Sequence, residues 1–243
     1  TMERAFAPPH PPSTTSDARG TYDERLNHLL AAATEVIARD GYEKASMRAV
    51  AKAAGTSLAG MYHYFDGKER MLFLIQFRTF NALLAGLRER LHDVSDPVEQ
   101  LRLMVRNHVG YFAANMAALK VCSHELDSLT GDAYAETRAI RRAYYELSRG
   151  IIERVCSKTP AAARDAHELT MTLFGMLNWL YRWYDPKKGK SPAALSNLIC
   201  SQILHGIAGP RVEPPKSRRA AARRTGKRSA TRLGSPLAAG KRA

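Results

Sequence analysis

Between Leu26 and Leu204 the apolar residues return every three or four positions, and they never alternate over the length of a strand. Such spacing lays an apolar stripe along one side of a helix with 3.6 residues per turn. The fold class is therefore all-α. Leu26, Leu29, Leu30, Ala33, Val36 and Ile37 form the stripe of a first helix, which Gly41 closes. Ser46 caps a short second helix with Met47, Val50, Ala51 and Ala54 inward, and Gly55 ends it. Ser57 caps a third, expected to run through Tyr64, and a fourth runs from Lys68 to Leu91.

Downstream, a capping residue followed by proline at the first helical position occurs three times. Asp96-Pro97 opens a helix to about Met116, Thr159-Pro160 one to about Tyr184, and Ser191-Pro192 one to about Ile207. A short helix near 119–126 and a long one over 132–155 lie between the first two.

The two ends read differently. Residues 1–20 are rich in Pro, Ser and Thr and cannot bury enough apolar area to offset their ordering entropy. Beyond Pro214-Pro215 the Ala/Arg/Lys/Gly run has no apolar face. The expected organisation is a disordered arm over 1–20, a three-helix head over 21–67, a six-helix unit over 68–210, and a disordered basic tail over 211–243.

Charge narrows the partners. A formal net charge of +14 points to a polyanion, yet eleven Lys/Arg and a single acid, Glu213, lie from Arg211 onward, so the helical part is only mildly basic. No apolar run approaches the roughly 20 residues of a membrane span, and no secretion signal is visible, so no membrane partner is expected and the cytoplasm, at the nucleoid, is the expected location. Cys122, Cys156 and Cys200 are widely spaced outside any Cys-x-x-Cys pattern, which reads as reduced packing residues.

The segment from Ser46 to Phe65 has the parts of a helix-turn-helix. Ala51 and Ala54 are small where two helices cross, Gly55 supplies the turn, and Val50, Leu58 and Met61 close the corner. A plain helical hairpin has the same parts. The wider set Gly41-Tyr42, Met47-Arg48 to Ala51, Ala54-Gly55, Ser57, Met61 to Phe65 and Lys68-Glu69 resembles the N-terminal signature of TetR-family regulators over about residues 23–75. That resemblance implies a homodimeric repressor of double-stranded operator DNA. It places Ser46 and Ser57 at phosphate-binding helix starts, Tyr62, His63 and Lys68 on the DNA backbone, and Leu58, Ala59 and Gly60 toward the groove, with Tyr62 in reach of a base edge. Arg48 and Thr56 complete the expected DNA-facing set. The third helix lacks Arg, Asn and Gln, so hydrogen-bonded base readout looks sparse, while Tyr64 and Phe65 are expected in the core.

In the larger unit, Leu177-Asn-Trp-Leu-Tyr-Arg-Trp-Tyr-Asp-Pro186 concentrates aromatics on the penultimate helix. They suit a core, a dimer interface or a pocket wall. Together with His124 to Leu129 and Arg138, Arg141 and Arg142, this region is similar to TetR regulators of fatty-acid, steroid or aromatic-acid breakdown, which implies a small-molecule effector of the acyl-CoA class. The expected effector set is Met104, His108, Phe112, Met171, Phe174, Asn178, Trp179 and Arg182. The Arg138–Arg142 run reads equally well as a solvated face. Leu195, Leu198, Ile199, Ile203 and Leu204 would pair the last helix in a two-fold dimer.

Enzyme motifs are lacking: there is no Gly-x-Ser-x-Gly, no phosphate-cradling glycine loop and no His-Glu-x-x-His. No catalytic residue and no cofactor are expected. A metal sensor built on His108, His124, Glu125 and His167 ranks below hydrogen-bonded core histidines. The rival reading is an architectural, sequence-nonspecific DNA binder driven by the basic tail.

Overall fold

The computed structural model describes residues 16–157 and 165–208, and every regular element among them is helical. The helices are α1 (Ser16–Asp40), α2 (Met47–Ala53), α3 (Leu58–Tyr62), α4 (Lys68–Leu91), α5 (Pro97–Ala114), α6 (Met116–His124), α7 (Gly131–Cys156), α8 (Ala166–Asn178) and α9 (Pro192–Ala208). Two 3-10 turns, Leu126–Ser128 and Leu180–Arg182, join α6 to α7 and follow α8. The start of the arm, the Thr159-Pro160 pair and the basic tail fall outside the described residues.

Four boundaries depart from expectation. Residues 16–20, assigned to the arm, belong to α1, and its Gly20, worth only about 1 kcal/mol against a helix, does not interrupt it. α3 stops at Tyr62 rather than Tyr64, because Tyr64 and Phe65 both donate backbone N–H groups to Met61 O and the tightened turn drives Phe65 into the core. α5 stops at Ala114, where Asn115 Nδ2 takes the Tyr111 carbonyl at 2.8 Å, a side-chain bond that competes with the next helical turn. The penultimate helix stops at Asn178. The backbone then tightens so that Leu180 and Tyr184 both turn inward, leaving Trp179 and Trp183 outside.

Two apolar cores form, and they meet along α4. The head core joins α1, α2 and α3 through Leu29, Val50, Met61 and Phe65, and it continues through Met71, Leu72 and Ile75 to Val121, Leu129 and Ala133. From Leu83 onward α4 belongs to the body core with α5, α7, α8 and α9. Met104, His108 and Phe112, four residues apart on α5, share one buried face there. No helix among the described residues is long and apolar enough to cross a membrane.

Candidate functional site

The α2–α3 corner is built from local chemistry. Ser46 Oγ accepts from Ala49 N–H at 3.1 Å and Ser57 Oγ accepts from Gly60 N–H at 3.0 Å, so each serine closes the first turn of its own helix. Gly55 takes φ +61°, the left-handed conformation that turns α2 into α3, and Thr56 N–H returns to Ala51 O at 2.9 Å. Val50, Ala51, Ala54 and Met61 bury the inner side. Gly60 has a steric reason too, since a Cβ there would lie 2.7 Å from Thr56 Oγ1.

That burial leaves a defined outer face. Ser46, Arg48, Ser57, Ala59, Tyr62 and His63 are exposed, with Thr56, Leu58 and Gly60 half-buried beside them. Tyr62 stands 51% exposed, although a tyrosine ordinarily finds burial. Behind the face, His63 packs edge-on against Tyr64, which stacks on Tyr22 of α1 at 4.8 Å.

Lys68 is differently placed from its neighbours in the expected set. Its Nζ donates to Tyr42 O at 3.0 Å and Glu43 O at 3.3 Å and lies 4.1 Å from the centre of the Tyr42 ring. Two of its three donors hold the α1–α2 loop against α4, which leaves one for a phosphate.

The expected effector residues separate into two groups. Met104, His108 and Phe112 are buried together, and Phe174 and Asn178 of α8 lie against them half-buried. The His108 ring lies 4.8 Å from Phe112 and 5.9 Å from Phe174. His108 Nδ1 meets the Tyr144 hydroxyl at 3.3 Å, and the Asn178 amide of α8 acts on the same ring. Burial holds the imidazole neutral, with its pKa lowered to about 3 against the opposing hydrogen bond of Asn178.

Met171, Trp179 and Arg182 do not join that cluster. Met171 and Trp179 are 51% and 54% exposed, and the Arg182 guanidinium lies over the outer Trp179 ring. Met171 lies on the side of α8 away from the buried Thr170, Leu173 and Leu177, and the early end of α8 turns Trp179 and Arg182 outward. Trp179 and Trp183 instead flank an apolar groove completed by Met176, Leu195, Leu198 and Ile199 between α8 and α9. The histidines considered for a metal are each paired with a tyrosine, His124 with Tyr181 and His167 with Tyr145, both at 2.6 Å. Among the described residues no three His, Cys, Asp or Glu side chains converge on one point.

A polar chain missed from the sequence links head and body. Tyr42 N–H donates to Glu125 Oε1 at 3.2 Å, and Glu125 O accepts from the buried Gln76 Nε2 at 2.9 Å. Arg141 Nη1 then donates to Gln76 Oε1 at 3.2 Å and to Cys122 O at 2.8 Å, with its guanidinium over Phe80. Arg141 thus leaves the solvated run, whereas Arg138 and Arg142 remain exposed. Burial also pushes the Cys122 thiol up to about 12, so it is a packing group and not a nucleophile.

A capped helix corner with one bare face, mounted on a larger helical body, is the arrangement of a helix-turn-helix regulator of DNA. Residues 29–75 match the family described as "Bacterial regulatory proteins, tetR family", and residues 94–207 match "Tetracyclin repressor-like, C-terminal domain". The chain belongs to the TetR family. It is 24% identical over 181 residues to the fatty acid metabolism regulator protein of Bacillus subtilis, covering 74% of this chain and 93% of that one. A TetR-family regulator from Bordetella parapertussis superposes with a TM-score of 0.70 at 28% identity, covering 74% of this chain and 93% of the other. The structure of AibR in complex with isovaleryl coenzyme A and operator DNA shares the fold, with a TM-score of 0.62 at 24% identity over 77% of this chain and 100% of that one.

Proposed function

We propose that this protein is a homodimeric repressor that holds its operator through the α2–α3 face and releases it when an acyl-CoA thioester enters the body. The observation that carries the DNA half is the corner itself: two serine-capped helices around a left-handed glycine, with Arg48, Ala59, Tyr62 and His63 left exposed. Helices α2 and α3 are short, and the buried corner holds them in the relative pose that lets one enter a major groove while the other crosses the backbone. The AibR complex and the lipid-metabolism relative support the effector half. Dimerisation is assigned to the α8–α9 groove, where Trp179, Trp183 and Leu198 leave more large apolar surface exposed than a monomer needs. Such a regulator works in the cytoplasm, on the nucleoid, with no catalytic step.

Release requires only that the effector bind the DNA-incompetent arrangement of the body better than the competent one. The chain from Arg141 through Gln76 and Glu125 to Tyr42 supplies contacts that a shift of α7 or α6 would alter at the head. The test is retardation of DNA taken from upstream of the protein's own gene, with and without acyl-CoA. Tyr62→Ala is expected to weaken specific binding, and Arg48→Ala to lower the slope of log K against log salt by about 1. Deleting residues 211–243 is expected to reduce overall affinity while keeping operator preference. Loss of that preference, or an unaltered salt slope in Arg48→Ala, contradicts the assignment.

A further inference from the structure

Base pairs are told apart in the major groove by two kinds of contact, paired hydrogen bonds to base edges and apolar contact with the C5-methyl of thymine. The first kind belongs to Arg, Lys, Asn, Gln, Asp and Glu, and none of these lies between Thr56 and His63. The polar groups around the corner have other duties. Ser46 Oγ and Ser57 Oγ accept from Ala49 N–H and Gly60 N–H, so each hydroxyl keeps only its proton to give, which suits a phosphate oxygen. Lys68 spends two donors on Tyr42 O and Glu43 O. The His63 ring is drawn back toward α1, edge-on to Tyr64 at 5.1 Å and to Tyr22 at 6.5 Å. Arg48 and Lys52 are exposed on α2, the helix that crosses the backbone in such a corner.

What α3 itself puts forward is largely apolar. Ala59 and Tyr62, three residues apart, share its exposed side, and Tyr62 is 51% exposed. Leu58 packs against the head core, and Met61 is fully buried. Gly60 opens no path for a base edge, because Thr56 Oγ1 lies 2.7 Å from where a Cβ would stand. The forward surface of α3 is therefore one methyl group and one phenol ring. Such a pair complements the one apolar feature that base pairs offer in the major groove, the thymine methyl.

We propose that this protein reads its operator through thymine C5-methyl groups, which Ala59 and the Tyr62 ring contact in each half-site. The inference rests on the repressor reading above and narrows it to the chemistry of base choice. Phosphate contacts from Arg48 and the serine caps set the pose, and methyl contacts choose the register. Guanine and cytosine edges present no methyl, so each half-site carries thymine where Ala59 and Tyr62 lie. Burial of one methyl is worth about four-fold in an equilibrium constant, and a two-fold dimer counts every such contact twice.

The test uses the full-length protein and the DNA upstream of its own gene, prepared in three forms. One carries thymine, and one carries uracil at every thymine position, which removes only the methyl. The third carries 2,6-diaminopurine for adenine, which keeps every methyl and adds an amino group in the minor groove. Retardation by the wild type is expected to show uracil DNA bound about ten- to a hundred-fold more weakly than thymine DNA, with diaminopurine DNA bound like the thymine form. Ala59→Gly and Tyr62→Ala are each expected to narrow the thymine-to-uracil ratio, whereas Tyr62→Phe, which keeps the ring, is expected to retain it. Arg48→Ala is expected to weaken both forms equally, because a phosphate contact takes no account of the methyl. The ratio compares two DNAs with one protein, so any loss of folded variant cancels from it. A ratio that survives both Ala59→Gly and Tyr62→Ala overturns the assignment to α3. Equal binding of thymine and uracil DNA by the wild type, with preference over unrelated DNA retained, overturns methyl readout and leaves the repressor reading intact. Weaker binding of the diaminopurine form in that case assigns base choice to the minor groove. Absence of any preference for the upstream DNA over unrelated DNA overturns the repressor reading and this inference with it.

Discussion

The reading head and the body are built on opposite policies toward buried polarity. Every fully buried polar side chain among the described residues, Gln76, Thr79, Asn107, His108, Thr137, Ser148, Thr170 and Ser196, lies in α4 or beyond, and none in α1 to α3. The head is drier: Leu29, Val50, Met61 and Phe65 close it with apolar contacts, Ser46 and Ser57 work at the surface as caps, and the Tyr22 hydroxyl and the His28–Ala54 bond are the polar groups set deeper. The difference follows from the two tasks. A head that must present one fixed face to DNA gains from close packing, which has a single solution. A body that answers to a ligand needs hydrogen bonds that can be made and unmade, because dispersion alone does not discriminate strongly between two arrangements.

The sharpest way to break this comparison is to open the dry core. Phe65→Ala removes a ring that is 0% exposed and is expected to cost about 3–5 kcal/mol, read as a lowered denaturant midpoint. Because the head core runs along α4 to Val121, Leu129 and Ala133, one cooperative transition at a lower midpoint is expected. Two separate transitions would show that head and body fold independently, and the contrast between them would then be one of domains rather than of design within a unit.

Next comes the polar chain that crosses between the regions. Arg141→Met keeps an unbranched apolar side chain but removes the guanidinium from over Phe80 and strands Gln76 Oε1 and the Cys122 carbonyl, at an expected cost of about 1–3 kcal/mol. Its telling readout is functional: operator affinity without effector should change little, while the effector concentration needed for release should rise. Unchanged release would remove Gln76, Arg141 and Glu125 from the coupling path. A further difference separates the regions by pH. His108 has its pKa lowered in the folded state to about 3, so the unfolded chain binds a proton first as the solution is acidified. Stability contributed by the neutral ring is present above the unfolded value near 6.5 and is lost as pH falls from there toward 3, by about 1.4 kcal/mol per pH unit. The slope should be absent in His108→Gln, so that the difference between wild type and this variant isolates it.

These effects also mark what was legible in the sequence. The α2–α3 corner was readable because its determinants are local: Ser46, Gly55 and Ser57 each act within four residues of themselves. Met104, His108 and Phe112 were readable by their four-residue spacing. Trp179 and Arg182 were not, because their direction depends on α8 ending at Asn178, and nothing in Leu177 to Pro186 breaks the helical pattern before Pro186. Arg141 looked like part of a solvated run, since the partners that bury it come from positions 65 and 19 residues earlier. Gly55→Ala tests the local kind of determinant by itself. Forcing an alanine to φ +61° is expected to cost about 1–2 kcal/mol and to weaken operator binding further by loosening the corner, measurable by retardation at matched temperature.

The smallest expected effect carries the opposite sign. Thr137 on α7 is 0% exposed, and its Oγ1 has no partner, although a helical threonine ordinarily returns its hydroxyl to the carbonyl one turn back. Thr170 on α8 does so, donating to Ala166 O at 2.6 Å. Replacing each by the isosteric valine changes one atom without opening a cavity. Thr137→Val is expected to stabilise by about 0.5–1 kcal/mol, because an unpaired hydroxyl no longer has to be desolvated, whereas Thr170→Val is expected to be neutral or mildly destabilising. Denaturant midpoints at equal slope measure both. If Thr137→Val is stabilising and release by effector is also blunted, the unpaired hydroxyl takes part in the response to the ligand. If release is untouched, the body tolerates an unpaired polar group that has no bearing on its signal, and the contrast with the drier head rests on His108 and the Gln76–Arg141 pair.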